Sequence, residues 1–324
     1  MAAATNRPAD PLAGQPPMKI AIMGSGGVGG YFGGRLAASG VDVTFVARGD
    51  HLAAIRRDGL RIESRDMPGA LVKPAKATDD PTALGEVDYV IVGVKLWATE
   101  EAGRAILPMV GRDTAVLSLQ NGVECDDILA EIVGRDRLIG GVAFIASSIG
   151  RPGVIAHIGT MQRVVIGEPA GGSSPRVDRL HAALRNAGVA AEISDDIQRT
   201  IWEKFVFLIG LSATTTMMRT TIGPIREDPD SRTFLYDVMR ETVAVGRARG
   251  VALPANYADD RLAFADGLPY DMTSSMHHDL ERGNRLELGW LSGTVVRYGR
   301  ALGVPVPVNQ AVYAVLKPRA APRG

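Results

Sequence analysis

The stretch Lys19-Ile20-Ala21-Ile22-Met23-Gly24-Ser25-Gly26-Gly27-Val28-Gly29 decides the fold. Its first five residues form a short apolar run of strand character. The run breaks into glycines at G-x-G-x-x-G spacing, and a stretch of helical character follows through Leu36. Glycines let the chain turn sharply and let the backbone approach a pyrophosphate. The helix that follows aims its N-terminal N–H groups and positive dipole end at the anion. A glycine-rich turn serves packing alone in other settings. Its position directly after the first strand is what makes Gly24, Ser25, Gly26, Gly27, Val28 and Gly29 candidates for holding a dinucleotide.

Outward from this turn the alternation repeats. A second strand is expected over Val41–Val46, followed by Ala47-Arg48-Gly49 and a helix near Leu52–Arg57. A site that prefers NAD usually ends its second strand in an acidic residue. Arg48 stands there instead, and guanidinium pairs well with a 2′-phosphate, so NADP is the expected cofactor. The plain alternative is a solvated arginine in an exposed turn. Gly59–Glu63 and Ala70–Lys73 suggest a hairpin, and Tyr89–Val92 and Ala115–Leu119 further buried strands. Lys95 and Asn121 follow the latter two, at the carboxyl ends of strands, where open α/β sheets bind ligands. Each also has a bland reading, Lys95 as a helix start and Asn121-Gly122 as a tight turn.

A helix is expected over Glu124–Ile132, more strands between Gly140 and Gly167 around Arg151-Pro152-Gly153, a linker at Gly171–Pro175, another helix, and a strand over Ala190–Ile193. After Asp195 helical spacing dominates: Trp202, Phe205, Val206 and Ile209 share one face. These patterns divide the chain into a floppy Ala- and Pro-rich leader over 1–17, an α/β Rossmann-like domain over 18–194, and an all-α domain over 195–324. Lys204 lies in the otherwise apolar stretch Ile201–Phe207. Desolvation there would lower its pKa toward values useful for protonating a carbonyl oxygen. Pairing with Glu203 or Asp196 on a solvated face is the competing reading.

Composition narrows the function. Lys plus Arg and Asp plus Glu each total 36 among 324 residues, so no net field recruits nucleic acid or an anionic membrane surface. No stretch has the apolar length of a membrane helix, and the leader lacks the core of a signal peptide. Cys125 is the single cysteine, which excludes an intrachain disulfide and a cysteine-cluster zinc site and suits the cytoplasm. The five histidines show no metal-binding spacing, so no metal is expected.

Taken in order, the glycine motif, Val46-Ala47-Arg48-Gly49, Val94-Lys95, Gln120-Asn121-Gly122-Val123, Trp202-Glu203-Lys204 and Ser274-Ser275-Met276…Asp279…Glu287 resemble the ketopantoate reductase family over essentially Met18 to Lys317. The resemblance implies a Rossmann domain and a helical C-terminal domain like that of 6-phosphogluconate dehydrogenase, used for substrate binding and dimerisation, with the active site between them. It implies Lys204 as general acid, Glu287 as its acidic partner, Ser275 on the substrate carboxylate, Asn121 orienting substrate and nicotinamide, and Lys95 near the cofactor. The activity implied is NADPH-dependent reduction of a 2-oxo acid, nominally 2-dehydropantoate to D-pantoate, in a possible homodimer.

The chain departs from the family at one wall. Where well-known members carry asparagines one and two helical turns after the lysine, this sequence has Leu208 and Ser212. Spacing of i, i+4 and i+8 puts both on the Lys204 face, so they remain candidate substrate contacts in a less polar wall. A D-2-hydroxyacid dehydrogenase of a more hydrophobic substrate is the enzymatic alternative. A non-catalytic NADP-binding sensor is the alternative of another class.

Overall fold

The computed structural model describes residues 17–322; apart from Pro17, the expected leader lies outside the described residues. Two compact units are present. The first comprises the chain through Val94, Thr99–Gln120 and Asp127–Ile197, and the second Lys95–Ala98, Asn121–Asp126 and the chain from Gln198 onward. No linear boundary near Ser194 anticipates the two short pieces that join the helical unit. They are the segments that follow strands, and they carry Lys95 and Asn121.

The first unit is built on β1 (Lys19–Met23), α1 (Gly27–Ala38), β2 (Asp42–Val46), α2 (Gly49–Asp58), β3 (Leu60–Ser64), β4 (Ala70–Val72), β5 (Lys76–Thr78), β6 (Tyr89–Val92), α3 (Thr99–Ala105), β7 (Ala115–Ser118), α4 (Cys125–Val133), β8 (Leu138–Arg151), β9 (Val154–Gly167), α5 (Pro175–Asn186) and β10 (Ala190–Ile193). The strands order as β4-β3-β9-β8-β7-β6-β1-β2-β5, with β10 on β9. β1 lies between β2 and β6, parallel to both. Strands covered on both faces read as unbroken apolar runs, and every residue of β6 and β7 is buried. Phe32 of α1 and Phe45 of β2 lie fully buried in the core between helix and sheet.

One feature departs from the sequence pattern. β5 is short and polar and gains its place by parallel pairing with β2, a tertiary effect that no alternation announces. The strands expected between Gly140 and Gly167 around Arg151-Pro152-Gly153 are present as the two arms of one long antiparallel hairpin, β8 and β9. The inner half of β8 is buried and its outer half largely exposed, which is why the apolar signal fades along that strand.

The second unit contains α6 (Ile197–Met218), α7 (Ile222–Glu227), α8 (Pro229–Ala248), α9 (Tyr257–Asp266), α10 (Ser275–Glu281), α11 (Ser292–Leu302) and α12 (Pro307–Leu316). α6 begins at the end of the first unit and runs through the helical core, with Trp202, Phe205, Val206 and Ile209 buried on one face. Helix starts are specified locally. Asp228 caps α8 by accepting from Ser231 N at 2.8 Å, with Pro229 in the first helical position. The buried Glu241 of α8 accepts from Val308 N and Asn309 N, both at 2.8 Å. Its carboxylate thereby satisfies orphan amides at the start of α12 and favours the positive end of that helix.

Candidate active site

In the first unit, the glycine turn stands at the carboxyl end of β1, where the strand order reverses. Gly24 takes φ +94°, a conformation side chains resist. A Cβ on Gly29 would lie 2.2 Å from the Gly24 carbonyl oxygen, so the turn closes this tightly only with glycine. Gly24 N and Ser25 N both donate to Val46 O, and Ser25 Oγ joins them at 3.1 Å, tying the turn to the end of β2. Gly26 is the N-cap of α1 and no side chain caps that end. A Cβ on Gly26 would meet nothing within 4 Å. The partly buried Val28 sits in the first turn of α1. The first-turn amides are therefore left for an external acceptor, over open space, which fits a pyrophosphate.

Arg48 follows β2 as the N-cap residue of α2. It is largely exposed and pairs with Glu101 at 2.6 Å. An exposed pair of this kind contributes little and exchanges readily for a better anion.

The second unit gathers the remaining polar candidates. Lys204 Nζ donates to Asn121 Oδ1 at 2.7 Å. Burial pulls the Lys204 pKa down to about 8, with the charges of Cys125 and Glu287 acting in the opposite direction. Glu203 pairs with Arg199 at 2.7 Å, while Lys204 turns to Asn121. Asn121 sits in a turn that Gly122 completes at φ +98°, and Cys125 Sγ approaches the Asn121 carbonyl at 3.6 Å.

Glu287 is buried and accepts from Leu96 N at 2.8 Å. Lys95 Nζ lies 2.9 Å from Asp279 Oδ2 and 3.7 Å from Glu287 Oε2. Burial opposes the Lys95 charge, but Glu287 and the Asp279 hydrogen bond outweigh it and raise its pKa. Asp279 also accepts from Asn284 Nδ2 at 3.0 Å.

Lys204 with Asn121 and Lys95 with Asp279 and Glu287 thus form two contact groups of the same unit, linked by the charge of Glu287 acting on Lys204. Ser275, the first residue of α10, is exposed one turn before Asp279. The cap of that helix is Ser274, which accepts from His277 N at 3.1 Å and meets Thr215 Oγ1 at 3.0 Å. Leu208 is partly buried against the helical core. Ser212 is fully buried, and its Oγ has no hydrogen-bond partner.

Sequence reasoning gave no role to Asp279, although the Ser275–Asp279 helical spacing was its signal. It also passed over an aromatic group beside Lys95, in which the Arg285 guanidinium lies 4.7 Å from the Trp97 ring centroid and 5.5 Å from that of Trp290. No group of three or more potential metal-ligating residues occurs among the described residues. No helix there is long and apolar enough to cross a membrane.

A parallel sheet with an uncapped glycine turn at its switch point, together with a buried lysine tuned toward neutrality, defines the class: a pyridine-nucleotide oxidoreductase. Comparison with known proteins gives the family. Residues 20–171 match ketopantoate reductase PanE/ApbA and residues 196–320 match its C-terminal part. The chain belongs to the ketopantoate reductase family.

It is 32% identical to a 2-dehydropantoate 2-reductase of Mesorhizobium japonicum, over 95% of this chain and 99% of that protein. The crystal structure of a PanE/ApbA family ketopantoate reductase from Ralstonia eutropha superposes with a TM-score of 0.85 at 35% identity, covering 94% and 98% of the two chains. A D-mandelate dehydrogenase solved with NADH and anilino(oxo)acetate gives the same TM-score at 21% identity, over 94% and 98% of the chains, and shares the fold.

Proposed function

We propose that this protein reduces a 2-oxo acid with NADPH, with 2-dehydropantoate as the first substrate to consider. The observation that carries the reading is Lys204: an ammonium with a pKa near 8, held by Asn121 and within the field of Glu287. NADPH, when bound at the glycine turn, supplies the hydride that adds to C2. Lys204 donates a proton to the carbonyl oxygen as charge develops there, so the ketone becomes a secondary alcohol and the lysine a neutral amine. Solvent then restores that proton. Glu287 favours the protonated lysine before each turnover. Asn121 holds the ammonium through Oδ1 and keeps its amide N–H groups for the substrate. Ser275 donates to the substrate carboxylate. Lys95, paired to Asp279 and Glu287, holds those two carboxylates in place.

Arg48 supports NADPH over NADH, because a guanidinium at the end of β2 suits a 2′-phosphate and its exposed partner Glu101 is easily exchanged. The single cysteine and the balanced charge support a cytoplasmic enzyme acting on a small molecule. A second reading has one specific observation behind it. Leu208, one turn beyond Lys204, offers an aliphatic wall and favours a more hydrophobic 2-oxo acid, or its D-2-hydroxy acid in the reverse direction.

The test is oxidation of NADPH by the purified protein against 2-dehydropantoate and branched or aryl 2-oxo acids, with Lys204→Ala as control. Lys204-dependent turnover of 2-dehydropantoate supports the first reading. Turnover confined to the apolar acids supports the second. Tight NADPH binding without turnover of any acid overturns both in favour of a non-catalytic sensor.

A further inference from the structure

His51 occupies the first turn of α2, partly buried between two backbone groups. Its Nε2 lies 2.9 Å from the Ser25 carbonyl oxygen, and Gly153 N donates to its Nδ1 at 3.1 Å. The partners fix the tautomer. A carbonyl oxygen only accepts, so Nε2 carries the hydrogen; an amide N–H only donates, so Nδ1 presents its lone pair. The ring is therefore a neutral bridge. Burial agrees, holding the His51 pKa below its ordinary value against the opposing bond to Ser25.

The two ends of this bridge differ in kind. Gly153 belongs to the turn between β8 and β9, and its own carbonyl accepts from Arg61 N at 2.9 Å, so it is part of the sheet framework. Ser25 belongs to the glycine turn. Its N–H and hydroxyl already go to Val46 O, which leaves the direction of its carbonyl to His51. That direction matters, because a carbonyl dipole turned toward an anion opposes the amides that are meant to hold it.

We infer that His51 is a positioning residue for the dinucleotide, locking the Ser25 carbonyl against the sheet so that the amides of the glycine turn face the pyrophosphate. This rests on the glycine turn being the NADPH site.

Two amide variants separate the ends of the bridge. The carboxamide of His51→Gln has an acceptor and a donor spaced much like the two ring nitrogens, and it reaches both partners. The shorter His51→Asn accepts from Gly153 but falls short of Ser25. Binding of NADPH is measured by fluorescence titration, with thermal unfolding and steady-state kinetics in parallel. His51→Asn is expected to raise Kd and KM for NADPH by about tenfold, with kcat at saturating NADPH within about twofold of the parent and Tm little changed. His51→Gln is expected to return Kd to within about threefold of the parent.

The inference is overturned if His51→Asn binds NADPH as the parent does, if it lowers kcat and leaves KM alone, or if His51→Gln folds normally and does not recover affinity. A parent protein that binds neither NADPH nor NADH removes the proposed function itself, a result distinct from all three.

Discussion

Lys204 Nζ donates to Asn121 Oδ1 over 2.7 Å, joining α6 to the turn after β7 across 83 positions of sequence. Asn121 lies in one of the short segments that pack with the helices, so the lysine and its acceptor sit in the same compact unit. A hydrogen bond to a neutral amide oxygen steadies the ammonium without raising its pKa as a carboxylate at that distance would. Burial is left to bring the pKa to about 8.

The pH dependence of reduction follows from that value. Lys204 must be protonated to act as acid, and its pKa is lowered from 10.5 to about 8. Activity is therefore present below about pH 8 and lost above it, with kcat/KM falling about tenfold per pH unit on the alkaline limb. A profile at saturating NADPH checks this. Lys204→Ala is expected to lower kcat by about 10²–10⁴-fold, to abolish that limb and to leave NADPH binding intact. An alkaline limb that survives the substitution would assign the titration to another group.

Glu287 accepts a backbone hydrogen bond from Leu96 and lies near the Lys95 ammonium. Glu287→Ala leaves the Leu96 amide and Lys95 without that carboxylate and is expected to cost about 1–3 kcal/mol of stability, together with most of the activity. Glu287→Gln keeps an acceptor for Leu96 and loses the charge, so thermal unfolding should recover toward the parent while kcat does not. Equal stability losses in the two variants would show that the carboxylate's charge, and not its hydrogen bond, holds this corner.

Gly29→Ala places a Cβ 2.2 Å from the Gly24 carbonyl, where only backbone movement relieves the clash. The turn is expected to open, at a cost of about 1–3 kcal/mol, and NADPH affinity to fall by more than tenfold, about the 1.4 kcal/mol equivalent of each decade. Fluorescence titration measures the loss. Unchanged binding would mean that the glycines serve helix–sheet packing alone.

Why some of this was legible in sequence and some not is a matter of distance along the chain. β1, the glycine turn and α1 are consecutive, so strand period, breaker and helix period all appear in one window. β6 and β7 stand out because burial on both faces removes polar residues. β5 has no such signature, since a three-residue strand owes its form to β2. Lys204 was marked by the apolar stretch around it and Asn121 by its place at the carboxyl end of a strand, but nothing in the sequence pattern pairs the two. His51 looked like one scattered histidine. Its two partners stand 26 and 102 positions away and are backbone atoms, which no residue pattern can name.

Arg48 sets the expected cofactor preference. Arg48→Ala removes a guanidinium whose present partner, Glu101, lies on the surface, so folding should be unaffected. Affinity for NADPH is expected to fall about tenfold and affinity for NADH to change less than about twofold, the difference being one charge-assisted contact to the 2′-phosphate. Parallel titrations with the two cofactors decide it. A loss shared equally between them would place Arg48 away from the adenosine ribose.

Leu208 carries the question of substrate. It stands one helical turn from Lys204 and packs its aliphatic surface against the helical core. A hydroxylated substrate laid against that wall loses water from its hydroxyl and finds no hydrogen bond in return, at about 1–3 kcal/mol. A branched apolar 2-oxo acid has nothing to lose there. Leu208→Asn supplies both a donor and an acceptor on the same helical face. The kcat/KM for 2-dehydropantoate relative to 2-oxoisovalerate should therefore rise by about tenfold or more in this variant, through the missing hydrogen bond made and the apolar contact removed. The parent's own preference between the two acids is the companion measurement. If the parent favours 2-dehydropantoate and Leu208→Asn leaves the ratio where it was, Leu208 does not line the substrate, and the hydroxyl finds its partner elsewhere among the groups around Lys204 and Glu287.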